Sequence, residues 1–167
     1  WIALDQPGDL WPIGENIGRY GYLDLLAAWV TVKGGTYTFG MELAAPLTES
    51  SALPPGVKHI AWSHALDYEP TWWPWGPNEG GAVVTWDGMT LQGFWADLRS
   101  SVRVDTPLPF TVEGTRITIT VPARMMQAIG DLSSFDWWYN VHVTWNQPEV
   151  WAYGYWLVDT ADIWPQP

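Results

Sequence analysis

Cysteine is missing from all 167 residues, so no disulfide staples the chain and no thiolate acts as nucleophile or metal ligand. Positive charge is scarce. Seven Lys and Arg stand against 18 Asp and Glu, a formal net charge of −11. A phosphate backbone or an anionic membrane surface would be repelled by such a chain, which argues against nucleic acid as a partner. Long apolar runs are missing as well. The longest, residues 25–30, is far shorter than the ~20 residues a bilayer-spanning helix needs, so no membrane insertion is expected in this segment. There is no Asn-X-Ser/Thr sequon, no HExxH, no GxSxG elbow, no P-loop and no dinucleotide fingerprint. Neutral ligands, cations and other proteins remain open.

Tryptophan is what the chain has in excess, at 15 residues. Its peak is Pro70-Thr71-Trp72-Trp73-Pro74-Trp75-Gly76-Pro77, a segment whose three prolines remove backbone donors and fix φ. It can be neither helix nor regular strand. Loops run over surfaces and often carry binding residues, so the three indoles form a candidate platform. An indole buries the apolar C–H face of a pyranose while nearby carboxylates meet its hydroxyls, and Asp67 and Glu69 flank the segment. Two other readings stand beside this one. The tryptophans fold back to plug one end of the domain, or they bury against another protein, where Trp is enriched in hot spots.

Alternation of period two dominates the rest. Residues 36–43 place Tyr37, Phe39, Met41 and Leu43 on one face and Thr38, Gly40 and Glu42 on the other. Further strands are expected at 23–32, 57–66, 82–86, 89–98, 109–113, 115–121, 136–145 and 150–158. Turn signals lie at Lys33-Gly34-Gly35, Asp87-Gly88 and Gly114. One short helix is expected near 122–130, with Pro122 at its first position and Gly130 at its end. About nine strands in one domain, 1–167, indicate an all-β fold, an antiparallel two-sheet sandwich of jelly-roll type. Trp138 and Trp156 fall on the faces opposite their aromatic neighbours, so a face that should meet solvent carries indole.

Five acids form a second candidate group. Asp5, Asp9 and Asp24 lie near the start and Asp159 and Asp162 near the end, and they converge if the terminal strands are neighbours. Ca²⁺ takes several oxygen ligands from carboxylates and carbonyls, so a structural Ca²⁺ is one expectation. Asp residues that merely cap turns are the other. The histidines His59, His64 and His142 show no metal-ligand spacing, and His142 reads as a sheet histidine. Pairs such as Asp67 with Glu69, or Asp87 with Asp97, could be invoked as a glycosidase dyad, but two acids are unremarkable in an acidic chain.

Several short segments carry a family resemblance. They are Leu4-Asp5-Gln6-Pro7-Gly8-Asp9 with Tyr22-Leu23-Asp24-Leu25, then Trp62 with Ala65-Leu66-Asp67, and Phe110-Thr111-Val112 through Val121-Pro122. The closing segment is Val158-Asp159-Thr160-Ala161-Asp162. Together they resemble secreted prokaryotic β-sandwich domains similar to the DOMON and family 9 carbohydrate-binding superfamily. The resemblance implies an extracellular or cell-surface module, processed or excised from a larger secreted protein, that binds sugars or, in some branches, haem. It also permits a structural Ca²⁺ at the five acids. Haem would need a Met and a His or Lys facing one pocket, and nothing in the sequence brings Met41, Met89 and His142 together. The expectation is therefore a non-catalytic carbohydrate-binding module. The alternatives are a subunit of a surface layer or filament, with the aromatics buried against other copies or other surface proteins, and a small glycoside hydrolase.

Overall fold

The structure, a computed structural model, describes residues 2–4, 20–48, 51–67, 80–97, 104–128, 136–145 and 155–163. In residues 2–4, 67, 136–138, 140, 142–145 and 155–163 only the backbone is described.

Eleven strands and one short helix make up these residues. The strands are β1 (Ile2–Leu4), β2 (Leu25–Lys33), β3 (Thr36–Leu43), β4 (Val57–Asp67), β5 (Gly80–Trp86) and β6 (Leu91–Asp97). They continue with β7 (Val104–Pro107), β8 (Phe110–Glu113), β9 (Arg116–Pro122), β10 (Asp136–Trp145) and β11 (Tyr155–Ile163). The helix, α1, spans Ala123–Gln127. One sheet, here sheet A, runs β1-β2-β3-β9-β8, and sheet B runs β11-β10-β4-β5-β6-β7. Every pairing is antiparallel.

The all-β two-sheet sandwich therefore holds, and its connectivity is that of a wrapped ribbon. The chain leaves sheet A at the end of β3 and enters sheet B on β4, and it leaves again at the end of β9 and enters on β10. Because β3 pairs with β9 and β4 with β10, the two crossings run between neighbouring strands. A third crossing is far tighter. β7 ends at Pro107 in sheet B and β8 begins at Phe110 in sheet A. Leu108 N–H still donates to Gly93 O of β6 (2.9 Å) while Thr120 N–H of β9 takes Pro109 O (3.0 Å). The Phe110 ring fills the space that a side chain at Gly93 would occupy.

Alternation decides what lies between the sheets. β3 contributes Tyr37, Phe39, Met41 and Leu43, β9 contributes Ile117, Ile119 and Val121, and β4 contributes Ile60, Trp62 and Leu66, with His64 buried on the same face. A buried Leu, Ile or Phe contributes roughly 1.5–3 kcal/mol, so this double layer is the main source of stability. One end is closed by aromatics. A single 3-10 turn, Gly21–Leu23, places Tyr22 edge-on to Trp86 at 5.9 Å, with its hydroxyl donating to Ala52 O (2.5 Å). Trp62 reaches across from sheet B and donates its indole N–H to Tyr22 O at 2.9 Å.

Several boundaries differ from the sequence expectation. β6 begins at Leu91 because the Asp87 carboxylate accepts both Met89 N–H (2.9 Å) and Thr90 N–H (2.6 Å), drawing those residues into the turn. Pro122 is the N-cap of α1 rather than its first helical residue, with ψ at 139°. The last strand, Tyr155–Ile163, runs past Val158, which places Asp159 and Asp162 in a strand; the expected start, 150–154, lies outside the described residues. β1 and β7 were not expected. They have three and four residues, too few for alternation to be read.

His64 sits between the sheets at 2% exposure, 5.1 Å from Phe39 and edge-on to Tyr139 at 4.5 Å. Its Nδ1 and the Tyr139 hydroxyl have no hydrogen-bond partner among the described residues. Burial pushes the imidazole pKa down to about 3, below the ordinary 6.5. The folded state thus keeps His64 neutral where the unfolded chain takes up a proton. Stability falls as pH drops from about 6.5 toward 3, by about 1.4 kcal/mol per pH unit at the steepest. His64→Leu is expected to flatten thermal melting between pH 6.5 and 5. Trp62→Phe, which removes the indole N–H that donates to Tyr22 O, is expected to cost about 1–3 kcal/mol in denaturant unfolding at pH 7.

Candidate functional site

The tryptophan-rich segment lies in the connection between β4 and β5. The register Leu66 with Gly80 and Asp67 with Asp136 pins the strand ends on either side of it. These strands are the third and fourth of six in sheet B. Trp72, Trp73, Trp75 and Glu69 themselves lie outside the described residues. Asp67 is the last residue of β4, and its backbone stands opposite Asp136. Asp97 ends β6 opposite Gly80, so at this end of sheet B the strands β10, β4 and β6 each carry an acid, with Gly80 of β5 between the last two.

The five metal candidates are distributed differently. Asp24 is buried, immediately after the 3-10 turn at the Trp62 end, and Ala44 N–H donates to its backbone carbonyl (2.8 Å). Asp5 and Asp9 lie outside the described residues. Asp159 pairs with Val141 in the middle of β11, and Asp162 pairs with Trp138. β11 lies against β1 and β2, so the terminal strands are neighbours, as the grouping requires. Among the described residues no group of three or more His, Asp and Glu is placed to hold a metal. The glycosidase dyad Asp87–Asp97 is parted. The two acids sit at opposite ends of the β5–β6 hairpin, and the seven residues of Leu91–Asp97 alone extend about 20 Å. Retaining and inverting glycosidases need carboxyl groups about 5–10 Å apart.

A different constellation was not singled out from the sequence. On the outer face of sheet A, Trp29 of β2 pairs with Gly40 of β3. A Cβ on Gly40 would lie 2.1 Å from the indole Cε2 and 2.2 Å from Cζ2, so the ring lies over the bare glycine backbone. This is the arrangement in which a cross-strand aromatic covers a sheet glycine. The Arg116 guanidinium sits over the ring, 5.2 Å from its centroid, and donates through Nε to Glu42 Oε2 at 3.2 Å. Thr115 donates its hydroxyl to the other oxygen of Glu42. Beyond Gly40 the same row continues with Thr118 of β9 and Thr111 of β8, whose hydroxyls are 2.7 Å apart. Its signal was in the turn. A two-residue connection at Gly34-Gly35, with φ of 58° and 75°, sets the register that brings Trp29 opposite Gly40.

The outer face of sheet B is unlike that of sheet A. Ala65 and Ala96, which alternate with core residues of β4 and β6, are buried at 6% and 3% yet lie outside the main core cluster. Ser63 is buried beside them at 7%.

Comparison with protein-family models, with curated proteins and with solved structures finds no match to this chain.

The Trp29–Gly40 contact is open to a direct check. Gly40→Val displaces the indole from its seat and is expected to cost about 1–3 kcal/mol, as overpacking does. Gly114→Ala, at a turn where a Cβ meets nothing within 4 Å, reports only the strain of φ at 62° and serves as the comparison in the same melting series.

Proposed function

We propose that this chain is a non-catalytic carbohydrate-binding module of a secreted or cell-surface protein. In this reading Trp72, Trp73 and Trp75 are the stacking faces, and Asp67 and Glu69 hydrogen-bond sugar hydroxyls. The observation that carries it is the anchorage of the proline-braced segment. It connects two interior strands of the larger sheet, where the strand ends are held by pairing on both sides. Binding residues on a loop held by a rigid scaffold lose less entropy on engaging a ligand. The acids at this end of sheet B, Asp97 and Asp136 with Asp67, favour a neutral, hydroxyl-rich ligand over an anionic one.

Assembly by strand addition, the rival reading, meets an obstacle at the β7 edge. All four residues of Val104–Pro107 are exposed, but Pro107 lacks a donor and Asp105 is charged, two devices that blunt edges against pairing.

Trp73→Ala and Trp75→Ala are expected to weaken polysaccharide binding about five- to thirtyfold each, the loss of about 1–2 kcal/mol of stacking, with melting nearly unchanged. If the indoles plug the fold instead, each substitution lowers stability by about 3–5 kcal/mol and no glycan is bound by the unaltered protein.

A further inference from the structure

We propose that the outer face of sheet A around Trp29 is a second carbohydrate surface, taking a stretch of neutral polysaccharide laid across the strands. This rests on the carbohydrate reading of the chain but not on the 70–77 segment. The first argument is the seat of the indole. Glycine in a strand interior weakens the strand, and it marks places where another group approaches the backbone closely. Gly40 is such a place, because any side chain there would collide with the Trp29 ring. Trp29 is only partly buried, and what stands over its outer face is the solvent-exposed guanidinium of Arg116, so a ligand reaches the ring plane by shifting one solvated side chain. A platform held in this way is preorganised.

The second argument is what surrounds it. Glu42 is fixed by Thr115 and by Arg116, so its carboxylate is oriented before any ligand arrives. The Arg116 side chain is 59% exposed, and its two terminal NH2 groups make no hydrogen bond among the described residues. Thr118 and Thr111 continue the row from the indole toward the sheet edge. Four strands at 4.7–4.9 Å spacing make this row about 14 Å long, the scale of a short oligosaccharide. One face therefore offers an apolar plane, a carboxylate acceptor, a guanidinium donor and hydroxyls that both donate and accept.

The chemistry selects the occupant. Glu42 and Arg116 offset each other, so the patch draws no strong charge of either sign, and the net charge of −11 disfavours an anion. A protein partner would want a contiguous apolar core at its interface, whereas here the row that starts with Ile2 and Trp29 runs on into Gly40, Thr118 and Thr111. A pyranose chain, with apolar ring faces and hydroxyl edges, matches the mixture.

The test uses affinity electrophoresis of the whole chain in gels holding soluble xylan, mixed-linkage β-glucan or galactomannan, with melting recorded for each variant. Trp29→Ala is expected to weaken retardation about five- to thirtyfold. Because that change also uncovers Gly40, Glu42→Gln and Thr118→Val are measured beside it. Both leave the indole seated, and both are expected to weaken retardation severalfold with melting close to that of the unaltered protein. Retardation unchanged in all three variants overturns the proposal. If Trp73→Ala and Trp75→Ala abolish retardation while Trp29→Ala does not, this surface is structural and the loop reading stands alone. If none of the polysaccharides retards the unaltered protein, the carbohydrate reading fails and this proposal with it.

Discussion

The contact on which the rest of the molecule depends is the reach of Trp62 from one sheet to the other. Its side chain is 1% exposed and among the largest fully buried groups, and its N–H ends on Tyr22 O, in the turn that leads into β2. A large aromatic that is buried needs a partner for its polar atom, or burial loses much of its benefit. Here the partner belongs to the opposite layer. The bond therefore ties the centre of sheet B to the start of sheet A. It also holds the Tyr22 carbonyl where the Tyr22 ring can meet Trp86 and its hydroxyl can meet Ala52 O. The closed end of the sandwich follows from that one geometry.

That closure divides the tryptophans into two populations with different duties. Trp62, Trp86 and Trp95 are buried and fill the space between sheets. Trp29 lies outside, on a glycine, beside a guanidinium. The proline-braced group lies in the connection between β4 and β5, outside the described residues. The proposed carbohydrate chemistry is assigned to that group and to Trp29. The acidic balance keeps such an aromatic surface soluble.

Much of this was legible from the residues. Tyr37, Phe39, Met41 and Leu43 alternate without interruption, and so do Ile117, Ile119 and Val121, because each strand has one dry face and one wet face. The Gly34-Gly35 turn was legible because positive φ at both positions nearly demands glycine. β11 was harder. Aromatics at alternate positions of 150–158 invite a strand there, and in the described residues from Tyr155 onward pairing with β10 runs on through two aspartates to Ile163. The extension past Val158 comes from tertiary pairing rather than local pattern, and a bulge between Val141 and His142 shifts the register. His64 reads as a polar interruption among Ile60, Trp62 and Leu66. Only the neighbours Phe39 and Tyr139, far away in sequence, make it a core residue. The acids Asp5, Asp9, Asp24, Asp159 and Asp162 group only on the condition that the terminal strands are neighbours, and β11 does lie against β1 and β2.

The central claim is that the indoles of Trp72, Trp73 and Trp75 stand on the surface of a sandwich whose core is already complete without them. Hydroxyl-radical footprinting read by mass spectrometry measures this directly, since each tryptophan is oxidised in proportion to its exposure. The account predicts rapid labelling of the three loop tryptophans, slow labelling of Trp62, Trp86 and Trp95, and selective protection of the loop by a bound polysaccharide. Loop tryptophans labelled as slowly as Trp62 would contradict it.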